Sequence, residues 1–281
     1  MRSSPRLPLL AAFGCAVAFA AVLACAYTVG PVERLDATAL HGLGSIEGPL
    51  TSRLADLAAH LADPLPLLVM LSGLFAWGWA IGRRSQAVAA VALVAGANVT
   101  AQVLKVALAH PRIQPAFGPY PYQLGAEAFP SGHAAAAMSI GLAAVLVASA
   151  RLRVVAASVA TAYVAAVSTS VLILGWHYPS DVVGGLLVSS AFFFGAVAAV
   201  RHLGEREPRA EAPHARLALP HRLGEVALAG VLGIALFALL GASEAASFAR
   251  LHTTATATAL AIMATCAALL AGAALIADDQ I

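Results

Sequence analysis

The chain has 281 residues, of which 60% are hydrophobic and 11% are charged, and its formal net charge is +2. Soluble domains carry about 25% charged residues, so this composition excludes a soluble globular protein and indicates an integral membrane protein. Alanine is abundant, and aromatic residues make up only 6% of the chain. This favours membrane helices over the alternating strands of a membrane barrel. We therefore expect an all-α protein whose partner is the lipid bilayer and not nucleic acid.

Eight apolar runs predict a polytopic helix bundle, because a helix needs about 20 apolar residues to cross a membrane. The runs cover residues 7–29, 64–82, 86–109, 131–150, 154–174, 181–200, 226–240 and 254–277. The first run has a rival interpretation as a signal peptide, but it is longer than the apolar segment of such peptides, which favours a retained anchor. Within residues 31–63, an amphipathic helix at the membrane interface is indicated by the shared helical face of Leu54, Leu57, Ala58 and Leu61.

The runs also predict how the chain is divided. Residues 1–200 form a six-helix core, which includes the anchor and the interfacial segment. Residues 201–223 form a basic, proline-containing cytoplasmic linker, and residues 224–281 form a membrane extension of two helices.

The placement of basic residues predicts the orientation in the membrane, since cytoplasmic segments carry an excess of Arg and Lys. With the N-terminus inside, the 16 basic residues divide into eleven inside and five outside. The inner residues are Arg2, Arg6, Arg83, Arg84, Arg151, Arg153, Arg201, Arg206, Arg209, Arg216 and Arg222, and the outer ones are Arg34, Arg53, Lys105, Arg112 and Arg250. This bias puts residues 105–133 and the turn at 174–181 on the non-cytoplasmic side.

The three cysteines give no sign of a disulfide or a metal site. Cys15, Cys25 and Cys266 all lie inside apolar runs, without the spacing of metal ligands or of a disulfide framework. We interpret them as small buried hydrophobic residues.

The third apolar run carries polar side chains on one helical face. Asn98, Gln102 and Lys105 are spaced i, i+4 and i+7. Polar groups at this depth normally face a bundle interior or a cavity. Two interpretations of Asn98 and Gln102 stay open: they belong to a site, or they form hydrogen bonds between helices.

The fourth run begins with Pro130-Ser131-Gly132-His133. Ser131 is a good N-cap residue, because its hydroxyl can accept a hydrogen bond from a backbone amide that a helix start leaves unpaired. The free amides and the positive end of the helix dipole suit an anion such as phosphate.

These residues share the predicted outer face with Lys105, Arg112 and the segment from Gly175 to Asp181. Two histidines, a carboxylate, two cations and a helix start are what phosphoryl transfer requires. One histidine can attack phosphorus and the other can protonate the leaving oxygen. His177 and Asp181 are four residues apart, so the carboxylate can accept the ring N–H and leave the other nitrogen for attack.

The pattern resembles the type 2 phosphatidic acid phosphatase (PAP2) family, whose fold is shared with vanadate haloperoxidases. Lys105 and Arg112 have the spacing of its first motif, with Ile113 in place of a proline, and Pro130 to His133 match the second in full. Ser170, His177 and Asp181 match the third motif, with Val171 where the family has arginine. The resemblance covers residues 98–185, and the high apolar content favours the membrane lipid-phosphatase branch.

The resemblance implies a function and a role for each matching residue. His177 would be the nucleophile that forms a phosphohistidine, Asp181 would orient it, and His133 would protonate the leaving group. Lys105, Arg112, Ser131 and Gly132 would bind the phosphate. No metal or cofactor is implied. The expected enzyme is a hydrolase of a lipid monophosphate or diphosphate, such as a polyprenyl diphosphate, phosphatidic acid or phosphatidylglycerol phosphate, at the periplasmic face of a bacterial inner membrane.

Val171 leaves alternatives open, because no apolar side chain replaces the bidentate contacts of arginine with phosphate. The protein could be a weaker phosphatase, a phosphatase with a cation from elsewhere such as Arg250, or a family member that binds lipid phosphates without turnover. A lipid phosphotransferase is a further alternative, since water and an acceptor lipid compete for the same phosphohistidine.

Overall fold

The computed structural model describes residues 6–46, 48–113, 124–204 and 242–278, and these ranges contain ten helices and no strand. The prediction of an all-α membrane protein is confirmed. The helices are α1 (Arg6–Thr28), α2 (Gly30–Gly44), α3 (Pro49–His60), α4 (Pro64–Ala80), α5 (Arg84–Ala107), α6 (Gly132–Val147), α7 (Arg153–Ile173), α8 (Pro179–Gly204), α9 (Ala242–Leu251) and α10 (Thr253–Asp278).

Five helices, α1, α5, α7, α8 and α10, are long and apolar enough to cross a membrane. Helices α3 and α4 meet at an angle of 54° and together could form a sixth span. The predicted run at 131–150 corresponds to α6, which has only 16 residues and is shorter than a regular span. The predicted run at 226–240 lies outside the described residues.

Helix α6 lies at the centre of the bundle. Thirteen of its 16 residues are buried, and it packs against α4, α5, α7, α8 and α10. Its sequence is apolar on every side, as expected for a helix that is surrounded by others. The first turn of α6 is therefore held in place by the whole bundle.

The glycines of α8 allow that helix to approach the start of α6 closely. A methyl group at Gly185 would lie 2.5 Å from the Ser131 carbonyl oxygen, and one at Gly184 would lie 2.8 Å from the Phe129 ring. The hydroxyl of Ser189 donates to the Ala135 carbonyl at 2.8 Å. This close packing places the N-terminus of α8 beside that of α6.

Arginines surround the opposite end of α6. Nη1 of Arg83 donates to the Ala148 carbonyl at 2.7 Å, and Nη2 of Arg153 donates to the same oxygen at 3.3 Å. Burial and the neighbouring Arg153 lower the pKa of Arg83 to about 10, so it remains a cation at neutral pH. Near the same end, Arg201 donates to the Ile276 carbonyl and connects α8 with α10 at 2.7 Å.

The segment at 31–63 contains most of α2 and all of α3, and α3 lies where the spacing of Leu54 to Leu61 predicted an amphipathic helix. Helix α2 packs against α1, α7, α8 and α10, and it buries Asp36, Leu40 and Leu43. Helix α3 leaves Leu54 and Leu57 exposed on its surface. The break between the helices follows Gly44, ends with Gly48 and is followed by Pro49, residues that favour turns and helix starts.

Helix α10 packs against α7, α2, α8 and α6. Its contact with α2 is close, because a methyl group at Gly42 would lie 2.7 Å from the Ala255 side chain. Arg250, which we expected in a loop, instead lies in the last turn of α9.

Candidate active site

The tertiary structure brings together the residues of all three motifs. Lys105 lies in the last turn of α5, Arg112 follows that helix, and Ser131 precedes α6. His177 is in the turn between α7 and α8, and Asp181 is in the first turn of α8. The backbone amide of Ser131 donates to the Asp181 carbonyl at 2.8 Å and joins the second motif to the third.

The start of α6 has the features of an anion site. The Ser131 hydroxyl accepts a hydrogen bond from the Ala134 amide at 3.3 Å, as predicted for an N-cap. A methyl group at Gly132 would lie 3.6 Å from Lys105 Nζ and 3.2 Å from Gln102 Nε2. A cation and an amide group thus lie next to the helix N-terminus, where the dipole also favours negative charge.

Asn98 and Gln102, for which the sequence left two roles open, have different surroundings. Asn98 donates to the Ser139 hydroxyl at 3.1 Å and to the Val94 carbonyl at 2.8 Å, so it connects α5 with α6. Gln102 lies beside Gly132, at the candidate phosphate site.

A glycine-containing helix end positions His177. The Trp176 amide donates to the Val171 carbonyl at 2.9 Å, and the Gly175 amide donates to the Leu172 carbonyl at 3.0 Å. This is the hydrogen-bond pattern of a Schellman motif. Gly175 has a φ of 70°, which L-residues with side chains adopt less readily. The motif ends α7 and turns the chain so that His177 precedes α8.

His177 and Asp181 are close, as their spacing predicted. Nδ1 of His177 lies 3.7 Å from Oδ2 of Asp181, which is longer than a hydrogen bond. Among the described residues, Nδ1 has no hydrogen-bond partner, although its side chain is only 7% exposed. Oδ2 of Asp181 accepts a hydrogen bond from the Tyr178 amide at 2.8 Å. A small rotation of the imidazole would bring Nδ1 to Asp181 and leave Nε2 for a reaction.

The second histidine lies opposite the first. The ring centroids of His133 and His177 are 6.4 Å apart, and Trp176 lies 5.3 Å from the His133 ring. Nε2 of His133 is 3.4 Å from Oδ1 of Asp63, the residue that precedes α4. Asp63 was not predicted as a site residue, because its pairing with His133 depends on how α4 packs.

Arg112 is buried among carboxylates. Nη1 lies 3.0 Å from both Asp181 Oδ1 and the Ser180 hydroxyl, and Nη2 donates to Asp36 Oδ2. The guanidinium lies 4.1 Å from the centre of the Tyr178 ring, a cation–π contact. Only 3% of the Arg112 side chain is exposed. Arg112, which was predicted to bind the substrate phosphate, is thus hydrogen-bonded to side chains of the protein itself.

Tyr178, in the turn before α8, helps to hold the chain next to Arg112. Burial raises its pKa to about 12, so the phenol stays protonated at neutral pH. Its hydroxyl donates to the Ile113 carbonyl at 2.6 Å. The amide of Ile113 in turn donates to Glu33 on α2 at 2.9 Å. The residue after Arg112 is therefore held by α2 and by the turn before α8.

Asp36 is the second site residue that our sequence analysis missed. Oδ1 of Asp36 accepts a hydrogen bond from the Ser180 amide at 3.2 Å, at the start of α8. Burial raises the pKa of the Asp36 carboxyl, and the hydrogen bonds from Ser180 and Arg112 act in the opposite direction. One signal was available: Asp36 shares a helical face with Leu40 and Leu43, so a buried α2 would also bury this carboxylate.

Val171, at the position of the motif arginine, is fully buried in the apolar core cluster. Its backbone carbonyl accepts the hydrogen bond that ends α7. Its side chain brings no charge to the site. The lost cation of the third motif is therefore replaced by apolar packing at this position.

Comparison with known proteins supports the resemblance. The model of the PAP2 superfamily matches residues 86–205. The fold is similar to the crystal structure of a transmembrane PAP2 type phosphatidylglycerolphosphate phosphatase from Bacillus subtilis, with a TM-score of 0.60 and 19% sequence identity. That match covers 72% of this chain and 99% of the bacterial phosphatase. A search of curated proteins finds no match. Residues 86–205, which carry all three motifs, are therefore similar to the PAP2 superfamily.

Proposed function

We propose that this chain is a metal-independent lipid phosphatase that hydrolyses a lipid monophosphate or diphosphate through a phosphohistidine on His177. The observation that carries the proposal is the position of two histidines, 6.4 Å apart, next to a helix start that faces Lys105. A phosphoryl group between the rings would lie close to one nucleophile and one acid. The similarity to the PAP2 superfamily and the fold of a lipid phosphatase support a phosphatase of this class.

The reaction would take place in two steps. Nε2 of His177 attacks phosphorus, the bond from phosphorus to the lipid oxygen breaks, and His133 donates a proton to that oxygen. His133 then takes a proton from water, whose oxygen attacks the phosphohistidine, and inorganic phosphate leaves as the N–P bond breaks. Asp181 stabilises the imidazole of His177 when it becomes positively charged.

The phosphate oxygens would be held by charges and dipoles that favour the transition state. Lys105 supplies a cation, the α6 N-terminus at Ser131 and Gly132 supplies backbone amides, and Arg112 lies beside Asp181. Gln102 adds a neutral donor that the motif comparison alone did not assign.

The distribution of arginines supports a reaction at the periplasmic face of a bacterial inner membrane. Arg83, Arg153 and Arg201 lie at the end of the bundle opposite the histidines. Under the positive-inside rule this end faces the cytoplasm. A lipid substrate would then present its headgroup to the site from the outer leaflet. Phosphatidylglycerol phosphate, phosphatidic acid and polyprenyl diphosphate are the candidates, and the first is the substrate in the name of the similar Bacillus protein.

A phosphate-release assay with these three lipids tests the proposal. Wild-type protein in detergent should release phosphate from at least one of them, and His177→Ala should abolish the release. His202→Ala, at an exposed position near the end of α8, is the matched control and should retain activity. Equal phosphate release by wild type and His177→Ala would refute the proposal. A labelled donor lipid in the same assay separates hydrolysis from transfer to a second lipid.

Two observations favour a second candidate, a lipid-phosphate-binding protein without turnover. Val171 is buried and uncharged, and Arg112 is already bound to Asp36 and Asp181. Binding of the same lipids by wild type, with no release of phosphate from any of them, would select this candidate.

A further inference from the structure

Arg112 meets carboxylates from two different elements. Asp181, on α8, belongs to the third motif and also lies beside His177. Asp36, on α2, lies outside residues 86–205 and contacts the other terminal nitrogen of Arg112. Both carboxylates are almost completely buried. Asp36, which lies outside residues 86–205, is therefore an anion that competes with substrate phosphate for the Arg112 guanidinium.

The balance of charge makes this competition important. Val171 removes one cation from the motif pattern, which leaves Arg112 and Lys105 as the cations of the three motifs. Asp36 then neutralises part of the charge of Arg112. In a buried site an anion beside Arg112 weakens the attraction of this residue for a second anion, since electrostatic interactions are strong at low dielectric.

The geometry allows Asp36 to lose its contact with Arg112 when substrate binds. Oδ1 of Asp36 accepts the Ser180 amide at the positive end of α8, and Oδ2 contacts Arg112. The carboxylate can therefore release Arg112 and still keep a favourable contact with the helix start. Burial raises the pKa of Asp36, which also favours loss of its charge when a second anion arrives.

We propose that Asp36 is a positioning residue that competes with substrate phosphate for Arg112 and thereby sets the affinity of the site for phosphate. The inference rests on the proposed function and deepens it. Asp36 orients Arg112 in the free protein, and a phosphate group replaces it on Nη2 during binding. The simpler alternative is a purely structural role, in which Asp36 only caps α8 and holds α2 in place.

Inorganic phosphate binding, measured by calorimetry on the full chain in detergent, separates the two roles. Asp36→Asn keeps the shape, and its amide oxygen can still accept from the Ser180 amide, but its NH2 group cannot accept from Arg112 and the competing charge is removed. The dissociation constant for phosphate should fall by about tenfold, the size of one charged hydrogen bond. A purely structural role predicts an unchanged or larger dissociation constant together with a lower melting temperature, and that result would overturn the proposal.

Two controls make the result specific. Glu33→Gln removes the same charge from α2 and keeps the hydrogen bond to the Ile113 amide, so phosphate affinity should stay as in wild type. Arg112→Gln should remove most of the gain from Asp36→Asn in a double-mutant cycle. If Asp36→Asn and Glu33→Gln raise the phosphate affinity equally, a general charge effect is responsible and the proposal is wrong. Asp36→Ser is the second variant if Asp36→Asn does not fold.

The binding experiment does not depend on turnover, so its failure is distinct from failure of the proposed function. Tighter phosphate binding by Asp36→Asn in a protein that hydrolyses no lipid would refute hydrolysis and leave the role of Asp36 intact. Hydrolysis that His177→Ala abolishes, with equal phosphate affinity in wild type and Asp36→Asn, would refute only the role of Asp36.

Discussion

At the scale of single residues, the contact between Asp63 and His133 predicts a change in the pH dependence of activity. The carboxylate lies 3.4 Å from Nε2 of His133, and a nearby anion favours the protonated imidazole that an acid catalyst needs. Asp63→Asn should therefore lower the pH above which turnover falls, because the protonated imidazole loses a neighbouring anion. Turnover measured from pH 5 to 9 with the best lipid substrate checks this shift.

Asp56 supplies the matched control for this measurement. It is an exposed carboxylate on α3 whose partner is His60, at 3.5 Å. Asp56→Asn should leave the pH profile of turnover unchanged. An unchanged profile for Asp63→Asn as well would mean that the contact of Asp63 with His133 does not affect the reaction.

At the scale of elements, the contact between α8 and α6 predicts that Gly185 cannot be enlarged. A methyl group there would lie 2.5 Å from the Ser131 carbonyl and 3.0 Å from the Ala135 amide, both backbone atoms that cannot move without the helix. Gly185→Ala should lower the free energy of unfolding by about 1–3 kcal/mol, as overpacking does. It should also reduce activity, because it separates the two helix starts that form the site. Thermal unfolding and the phosphate-release assay measure both effects.

Gly195 is the control on the same helix, since a methyl group there has no neighbour within 4 Å. Gly195→Ala should keep full activity and be neutral or stabilising by up to about 1 kcal/mol, the difference in helix propensity. Equal stability of the two variants would show that α8 can move away from α6 at little cost.

At the scale of the whole molecule, the orientation proposed above predicts which positions a membrane-impermeant thiol reagent reaches in intact cells. Ile113 lies at the end with the histidines and Leu152 lies at the end with the arginines, and both are exposed. In a background with the exposed Cys25 replaced by alanine, Ile113→Cys should be labelled and Leu152→Cys should not. Cys15 and Cys266 are buried. Labelling of Leu152→Cys alone would invert the proposed orientation and put the site at the cytoplasmic face.

The order of the helices and the members of the three motifs could be predicted from the sequence because both depend on local properties. Apolar length and helical period indicated α1, α5, α7, α8 and α10, and short spacings placed Ser131 at an N-cap and Asp181 one turn after His177. The domain division at residues 200 and 223 remains a prediction, as does the seventh apolar run.

Only the tertiary structure decided which charges meet. Arg112 and Asp36 are 76 residues apart, and α4 and α5 lie between Asp63 and His133, so no local spacing could indicate these pairs. A carboxylate on an amphipathic helix is normally solvated, and it becomes a site residue only when the helix packs inward, as α2 does against α8 and α10. Periodicity along the chain thus determined the helices and the three motifs, whereas packing between distant helices determined the anions that surround the candidate site.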